Sequence, residues 1–258
     1  MSKRNKYAEL LWQAQQSGAP SALLTSIDDE LTIEDAYTIQ QINLERRMTE
    51  GARLVGRKVG LTSTAIREWL GVAEPDFGGL LDTMAVPNGG SVPIASLMQP
   101  RVEAELAFLL KRPLRGPGVT AAAVLAATDY LLPAIEIIDT RQTDWRFKIQ
   151  DTIADNASSA LFVLGSTPID PRTVSLRTIG ATLRLNGRVV STGAGAACMG
   201  DPVNAVVWLA NTLGTLGVTL EAGEVILSGA LGPVSPVTAG DYVGATIGRA
   251  EEVRVTFI

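Results

Sequence analysis

Histidine is absent from this 258-residue chain, and cysteine occurs once, as Cys198. Without imidazole there is no Ser-His-Asp or Cys-His triad, no HExxH zinc site and no histidine general base. One thiol allows no intrachain disulfide and no CxxC site. An enzyme built from this chain must draw its acids and bases from Asp, Glu, Lys, Tyr or the lone Cys. A metal would meet mostly oxygen ligands, which points to Mg²⁺, Mn²⁺ or Ca²⁺ and away from zinc. Long apolar runs are missing too. The most apolar region, "VTAAAVLAATDYLLPAIEII", is broken by Asp129 and Pro133 and carries Glu136. It reads as helix, turn and strand, not as a membrane span. The opening "MSKRNKYAELLWQAQQ" is too polar for a signal-peptide core, so a cytoplasmic protein is expected. The net charge of -5 argues against general affinity for nucleic acid or anionic membrane. A chain that is 46% hydrophobic and 19% charged suits one large globular domain, with or without a smaller appendage.

The first third reads helical. Tyr7, Leu10, Leu11 and Ala14 form an i, i+3, i+4, i+7 stripe that Gly18 and Pro20 end. A second helix starts at "TIED", where Thr32 and Asp35 form a capping-box pattern, and runs to about Met48. "RLVGRKVG" reads as a strand and "STAIREWLG" as a short helix. From about Met84 the pattern turns to strands: "VEAELAFLL", "PAIEII", "ALFVLG", "TLRLNG", "EVILSG", "YVGATIG" and "EVRVTFI". "VPNGGSVP" looks like a hairpin turn, and "LRLNGRVV" places Asn186-Gly187 at another. Helices interrupt at about 120–129 and after "DPVNA", where Asp201 suits the N-cap, Pro202 suits N1 and Gly217 suits C′. Hairpins mixed with single strands disfavour a strictly alternating parallel fold. The expected class is α+β: a mixed or antiparallel, rolled β-sheet with a helical N-terminal region. The division expected is 1–83, helical and packed on the core, and 84–258, a β-roll core, acting as one unit.

Two tempting motifs fail. "GRKVGLTS" lacks the Gly-Lys-Ser/Thr run of a P-loop. "GAGAACMGDP" puts Cys198 where a dinucleotide fingerprint needs glycine, and Asp201 would repel a pyrophosphate. Cys198 itself reads as a small buried residue.

The stretch "RVEAELAFLL" sets Glu103 and Glu105 two apart in an apolar strand, on one face. At about 6.5–7 Å between Cα atoms, two such charges repel by about 2–2.5 kcal/mol at an effective dielectric near 20. Three arrangements relieve this: a solvated face, pairing with Lys or Arg, or a divalent cation between them. Spacing alone favours the wet face. Glu136 brings the cation reading level, because it is a lone carboxylate on an apolar face, flanked at i±2 by Ala134 and Ile138. Three such carboxylates would suit an octahedral Mg²⁺ or Mn²⁺. Candidate acid–base groups are Lys58, at the end of a strand, and Asp76, in the turn-like loop "EPDFGG". "DTIADNASS" is an unusually polar stretch holding Ser158 and Ser159. "LSGALGP" puts Ser228 and Gly229 at a strand end, where backbone N–H groups could bind a carboxylate.

"KVGLTS", "PDFGGLL", "RVEAELAF", "AIEIIDTR", "DTIADNASS" and "LSGALGP" resemble, in order and spacing, the 2-keto-4-pentenoate hydratase family. That family is the hydratase/decarboxylase branch of the fumarylacetoacetate hydrolase superfamily. The resemblance runs from about residue 31 to the end. It implies a rolled mixed sheet and an Mg²⁺ or Mn²⁺ site made by Glu103, Glu105 and Glu136. It also implies a homo-oligomer, commonly a decamer, working in bacterial meta-cleavage degradation of aromatic compounds. Association with an aldolase or decarboxylase of the same pathway is a further expectation. Hydratases of this branch look like "PDFG", as here, and decarboxylases tend to "PIYG". "LSGALGP" is also hydratase-like, whereas "RGPGVT" has decarboxylase character. Relatives usually carry "GHP" where this chain has "GDPVNA". The expected reaction is addition of water to 2-hydroxypenta-2,4-dienoate, giving 4-hydroxy-2-oxopentanoate. The alternatives are 4-oxalocrotonate decarboxylation and a non-catalytic partner subunit. Lys58 and Asp76 are the candidates for proton transfer: Lys58 would hydrogen-bond the carboxylate or enolate, and Asp76 would move protons or activate water. Ser158 or Ser159, with Ser228 and Gly229, would hold the carboxylate end.

Overall fold

The computed structural model describes residues 2–143 and 145–258. Three helices come first: α1 (Lys3–Ser17), α2 (Leu24–Ile27) and α3 (Ile33–Thr49). The stripe on α1 is buried at Tyr7, Leu11 and Ala14, and Tyr7 and Leu11 join the cluster of Ala36 and Ile39 of α3. The capping box that opens α3 is present: Thr32 Oγ1 accepts from Asp35 N, and the Asp35 carboxylate accepts from Thr32 N. Then follow β1 (Leu54–Gly60), α4 (Thr64–Leu70), β2 (Asp76–Leu81), β3 (Ala85–Val86), β4 (Ser91–Val92) and β5 (Arg101–Leu110). The middle holds α5 (Ala121–Ala127), β6 (Thr128–Ile138), α6 (Ile149–Ala154) and β7 (Ser159–Leu164). The chain ends with β8 (Gly180–Leu185), β9 (Arg188–Ala194), α7 (Pro202–Thr215), β10 (Val225–Ala230), β11 (Ser235–Pro236), β12 (Tyr242–Ile247) and β13 (Val253–Phe257).

The larger sheet runs β2-β1-β10-β5-β6-β7-β3, with β11 also on β5; the smaller runs β4-β13-β12-β8-β9. Pairs β1/β10, β3/β7 and β4/β13 are parallel and the rest antiparallel, so both sheets are mixed. One apolar core joins them: Val102, Leu106 and Ile135 of the larger sheet with Val243, Val253 and Val255 of the smaller. This is the expected α+β class with a mixed, curled sheet and a helical N-terminal region. The three leading helices end at Thr49, and β1 and β2, though within 1–83, are strands of the larger sheet. No helix among the described residues is long and apolar enough to cross a membrane.

The local readings diverge at three places. "VPNGGSVP" does turn, with Gly90 N donating to Pro87 O at 2.8 Å, but it is not a hairpin. Its flanks, β3 and β4, join different sheets. Long-range pairing therefore overrides a local hairpin signal. Strand β6 begins at Thr128, directly after α5, and carries Asp129 and Pro133, where a turn was expected. Asp76 is not in a turn-like loop; it opens the fully buried strand β2. The Asn186-Gly187 hairpin stands as expected, with φ of 52° and 78° at the two residues.

Candidate active site

Five adjacent strands carry the site. On β5, Glu103 and Glu105 share a face, and the β5/β6 register sets Glu103 directly opposite Glu136. Oxygens of all three carboxylates lie within 4.8 Å of one another. Glu105 and Glu136 are fully buried, so the wet-face alternative fails. Glu105 Oε1 and both Glu136 oxygens have no hydrogen-bond partner. Glu105 Oε2 accepts from Gly229 N at 2.8 Å. That contact depends on a bulge: between its partners Ala107 and Glu105, β10 advances from Leu227 to Ala230, one residue too many. Gly229 takes φ of 107° there, which an L side chain would resist.

On the other side, β1 pairs with β2 so that Gly60 faces Asp76 and Lys58 faces Gly78. Lys58 Nζ donates to Ala157 O at 2.9 Å and lies 3.4 Å from Glu136 Oε2, an ion pair without hydrogen-bond geometry. Asp76 is buried; its Oδ2 accepts from Thr152 Oγ1 at 3.2 Å and its Oδ1 has no partner. A Cβ on Gly60 would stand 2.2 Å from Asp76 Oδ1 and 3.2 Å from Lys58 Nζ, so glycine leaves the room that both groups use. Ala157 O reaches Lys58 because residues 156–158 all adopt positive φ, of 56°, 51° and 56°. Asn156 anchors that turn on β2 by two hydrogen bonds with the Gly79 backbone. From α3, Gln40 Nε2 donates to Phe77 O at 2.9 Å and Ile153 O at 2.8 Å, bracing the neighbours of Asp76 and Thr152.

Burial dominates the electrostatics. It pushes Glu103 up to about 7, aided by Glu136 and opposed by Lys58. Glu105 is pushed well above the usual carboxylate range by burial, then by Glu136 and Glu103. Burial also raises Asp76, against the pull of Lys58. On Lys58 burial alone would favour the neutral amine, but Glu136, Asp76, Glu103 and Glu105 outweigh it and hold the ammonium above its ordinary value. Three carboxylates crowded beside one ammonium are an arrangement that a dication suits. Their partnerless oxygens are hard donors of the kind Mg²⁺ takes. The residues therefore fit a divalent cation.

Lys58, Asp76, Glu103, Thr152 and Ser158 line a cavity of about 700 Å³. The rest of its wall is largely apolar, including Ile66, Ile138, Phe147 and Val234. The fumarylacetoacetate (FAA) hydrolase C-terminal family model matches residues 59–257. The chain belongs to this family. It is 50% identical over 255 residues to a 2-keto-4-pentenoate hydratase of Paraburkholderia xenovorans, covering 99% of this chain and 95% of that one. It is 47% identical to a 2-hydroxyhexa-2,4-dienoate hydratase of Comamonas testosteroni, covering 90% and 88%. Among solved structures it resembles a 4-oxalocrotonate decarboxylase from Pseudomonas putida complexed with magnesium and adipate. There the identity is 36%, the TM-score 0.94 and the coverage 100% and 99%.

For this member of the fumarylacetoacetate hydrolase family, the structure brings together Lys58, Asp76, Ser158 and the three glutamates. Ser159 is elsewhere: it lines a separate small cavity beside Arg141 and Asp155. Ser228 is fully buried, its carbonyl accepting from Cys198 Sγ at 3.0 Å. Gly229 directs its N–H to Glu105. Cys198 is buried as expected, its thiol pushed up to about 12 by burial. Sequence reasoning missed Gly60, Thr152, Gln40 and the Ala157 carbonyl. Only the polarity of "DTIADNASS" pointed near any of them.

Proposed function

We propose that this chain is a divalent-cation-dependent hydro-lyase that converts 2-hydroxypenta-2,4-dienoate to 4-hydroxy-2-oxopentanoate. The observation that carries this reading is that Lys58, Asp76 and Glu103, the last a member of the three-carboxylate cluster, line one cavity. The hydratases at about 50% identity support it. Glu103, Glu105 and Glu136 would hold Mg²⁺ or Mn²⁺. When bound, the cation supplies positive charge for the substrate's carboxylate and 2-oxygen. Lys58 spends one N–H on Ala157 O and keeps a donor for an enolate oxygen.

The proton traffic falls to Asp76. In the first half-reaction the 2-hydroxyl loses a proton and C5 gains one, leaving a conjugated 2-oxo-3-enoate. In the second, the oxygen of water bonds to C4, its proton is taken up, and C3 receives a proton. The buried, partnerless Asp76 Oδ1 is the oxygen for these transfers. Ser158 faces the carboxylate end, and the apolar wall takes the tail.

The same reading makes the protein a homo-oligomer, commonly a decamer in such proteins, of the cytoplasm. It would work in aromatic meta-cleavage breakdown, beside an aldolase or decarboxylase. The exposed Val189 and Val190 on edge strand β9 offer one apolar surface for such association. Light scattering on the purified protein measures the subunit number. For the reaction, purified protein with Mg²⁺ should bleach the ultraviolet absorbance of the dienol, and excess chelator should stop it. Full activity in chelator would remove the cation from the scheme. The 36% identical structure keeps decarboxylation as the second reading. CO₂ release from 4-oxalocrotonate faster than hydration of the monoacid would decide for it.

A further inference from the structure

Thr152 stands behind the proton-handling group and in contact with a second one. Its Oγ1 donates to Asp76 Oδ2 at 3.2 Å and lies 3.3 Å from Ser158 Oγ. Thr152, Asp76 and Ser158 are all buried, and all line the same cavity. A threonine hydroxyl has one proton and two lone pairs. It cannot donate to both neighbours at once. With its proton on Asp76, the contact to Ser158 is a hydrogen bond only if Ser158 is the donor. The Ser158 proton then points at Thr152, and its lone pairs are left for the cavity. The carboxyl of Asp76 is at the same time held through Oδ2 alone, with Oδ1 partnerless.

We propose that Thr152 is a positioning residue. It fixes the Asp76 carboxyl by Oδ2, so that Oδ1 is the oxygen that exchanges protons with substrate and water. It also ties the direction of the Ser158 hydroxyl to Asp76. An ionised Asp76 draws the Thr152 proton and, through it, the Ser158 proton. A protonated Asp76 carries its proton on Oδ1, so Oδ2 remains an acceptor and Thr152 keeps its proton there, with Ser158 still donating to Thr152. The placement is built in from both sides. Thr152 follows Asp151, whose carboxylate accepts from Thr25 N and Thr25 Oγ1 at 2.8 and 2.7 Å. It precedes Ile153, whose carbonyl accepts from Gln40.

This inference rests on the hydratase reading. The test compares wild type, Thr152→Val and Thr152→Ser in the dienol absorbance assay with Mg²⁺. Valine keeps the branched shape and loses the hydroxyl; serine keeps the hydroxyl. The expected result is a fall in kcat of about 10–100-fold for Thr152→Val, less than the loss of a full acid–base group. Its KM should stay within about threefold, since the cation site and the tail wall are untouched. Thr152→Ser should return kcat to within about threefold of wild type. Three results would overturn the assignment: a Thr152→Val kcat within twofold of wild type, a loss in KM rather than kcat, or equal damage from both variants. Absence of turnover by the wild type would instead sink the hydratase reading itself.

Discussion

Gly60 contributes no atoms to chemistry, yet the site depends on what it leaves out. Its Cβ would overlap Asp76 Oδ1 at 2.2 Å and crowd Lys58 Nζ at 3.2 Å. Gly60→Ala should therefore push the carboxyl off its position rather than unfold the sheet. We expect kcat to fall at least about tenfold with far-ultraviolet circular dichroism unchanged; a wild-type rate would show that the pair tolerates displacement. Asp76→Asn keeps the size and removes the exchangeable proton. Hydration should drop about 100-fold or more, and a loss under tenfold would leave Asp76 a structural role only. At Glu105, glutamine keeps the Gly229 contact but removes one charge from the cluster. Glu105→Gln should weaken Mg²⁺ binding in calorimetry and abolish turnover, while the metal-free protein melts no lower than wild type. That last outcome follows because a buried carboxylate among like charges opposes folding.

At the scale of elements, what was legible was whatever a short window encodes. The period of two in "RVEAELAFLL" put both glutamates on one face, and the apolar flanks of Glu136 marked it as a misfit. The capping box at Thr32 and the Asn186-Gly187 turn are equally local. Register is not local. Nothing in the sequence places Glu136 opposite Glu103, Gly60 opposite Asp76, or the extra residue of β10 beside Glu105. The hairpin reading of "VPNGGSVP" failed for the same reason, since β3 and β4 find their partners 70 or more residues away in β7 and β13. The helical region was expected to pack on the core as part of one unit, and α3 braces the backbone behind the site through Gln40. Gln40→Leu would leave Phe77 O and Ile153 O without their donor, at a cost of about 1–3 kcal/mol for each buried group left unpaired. Urea melts should register that loss. Because the two carbonyls adjoin Asp76 and Thr152, kcat should fall further than stability alone explains, even under conditions where the variant stays folded.

For the whole molecule, the missing histidines become useful again. No ordinary side chain of this protein titrates between about pH 5 and 8, so stability changes in that window report displaced groups. In the metal-free protein Glu103 is pushed up to about 7, and Glu105 well above its usual range, both chiefly by burial. Their folded values are higher than their unfolded ones, so the folded state holds protons that the unfolded chain gives up. The stabilisation is complete below the unfolded value, about 4.5, and is lost as pH rises through about 7. The melting temperature in chelator should accordingly fall from pH 5 to pH 8. Asp76, Asp155 and Glu224 are also raised by burial, a shift of the same sign. A cation binds the ionised glutamates only, so excess Mg²⁺ should raise the melting temperature little at pH 5 and progressively more towards pH 8. The difference between the two curves isolates the glutamate cluster, because the other carboxyls contribute to both. Glu105→Gln should flatten that difference. A gap between loaded and metal-free protein that is constant or shrinks with rising pH would mean that the three glutamates are not where the cation binds.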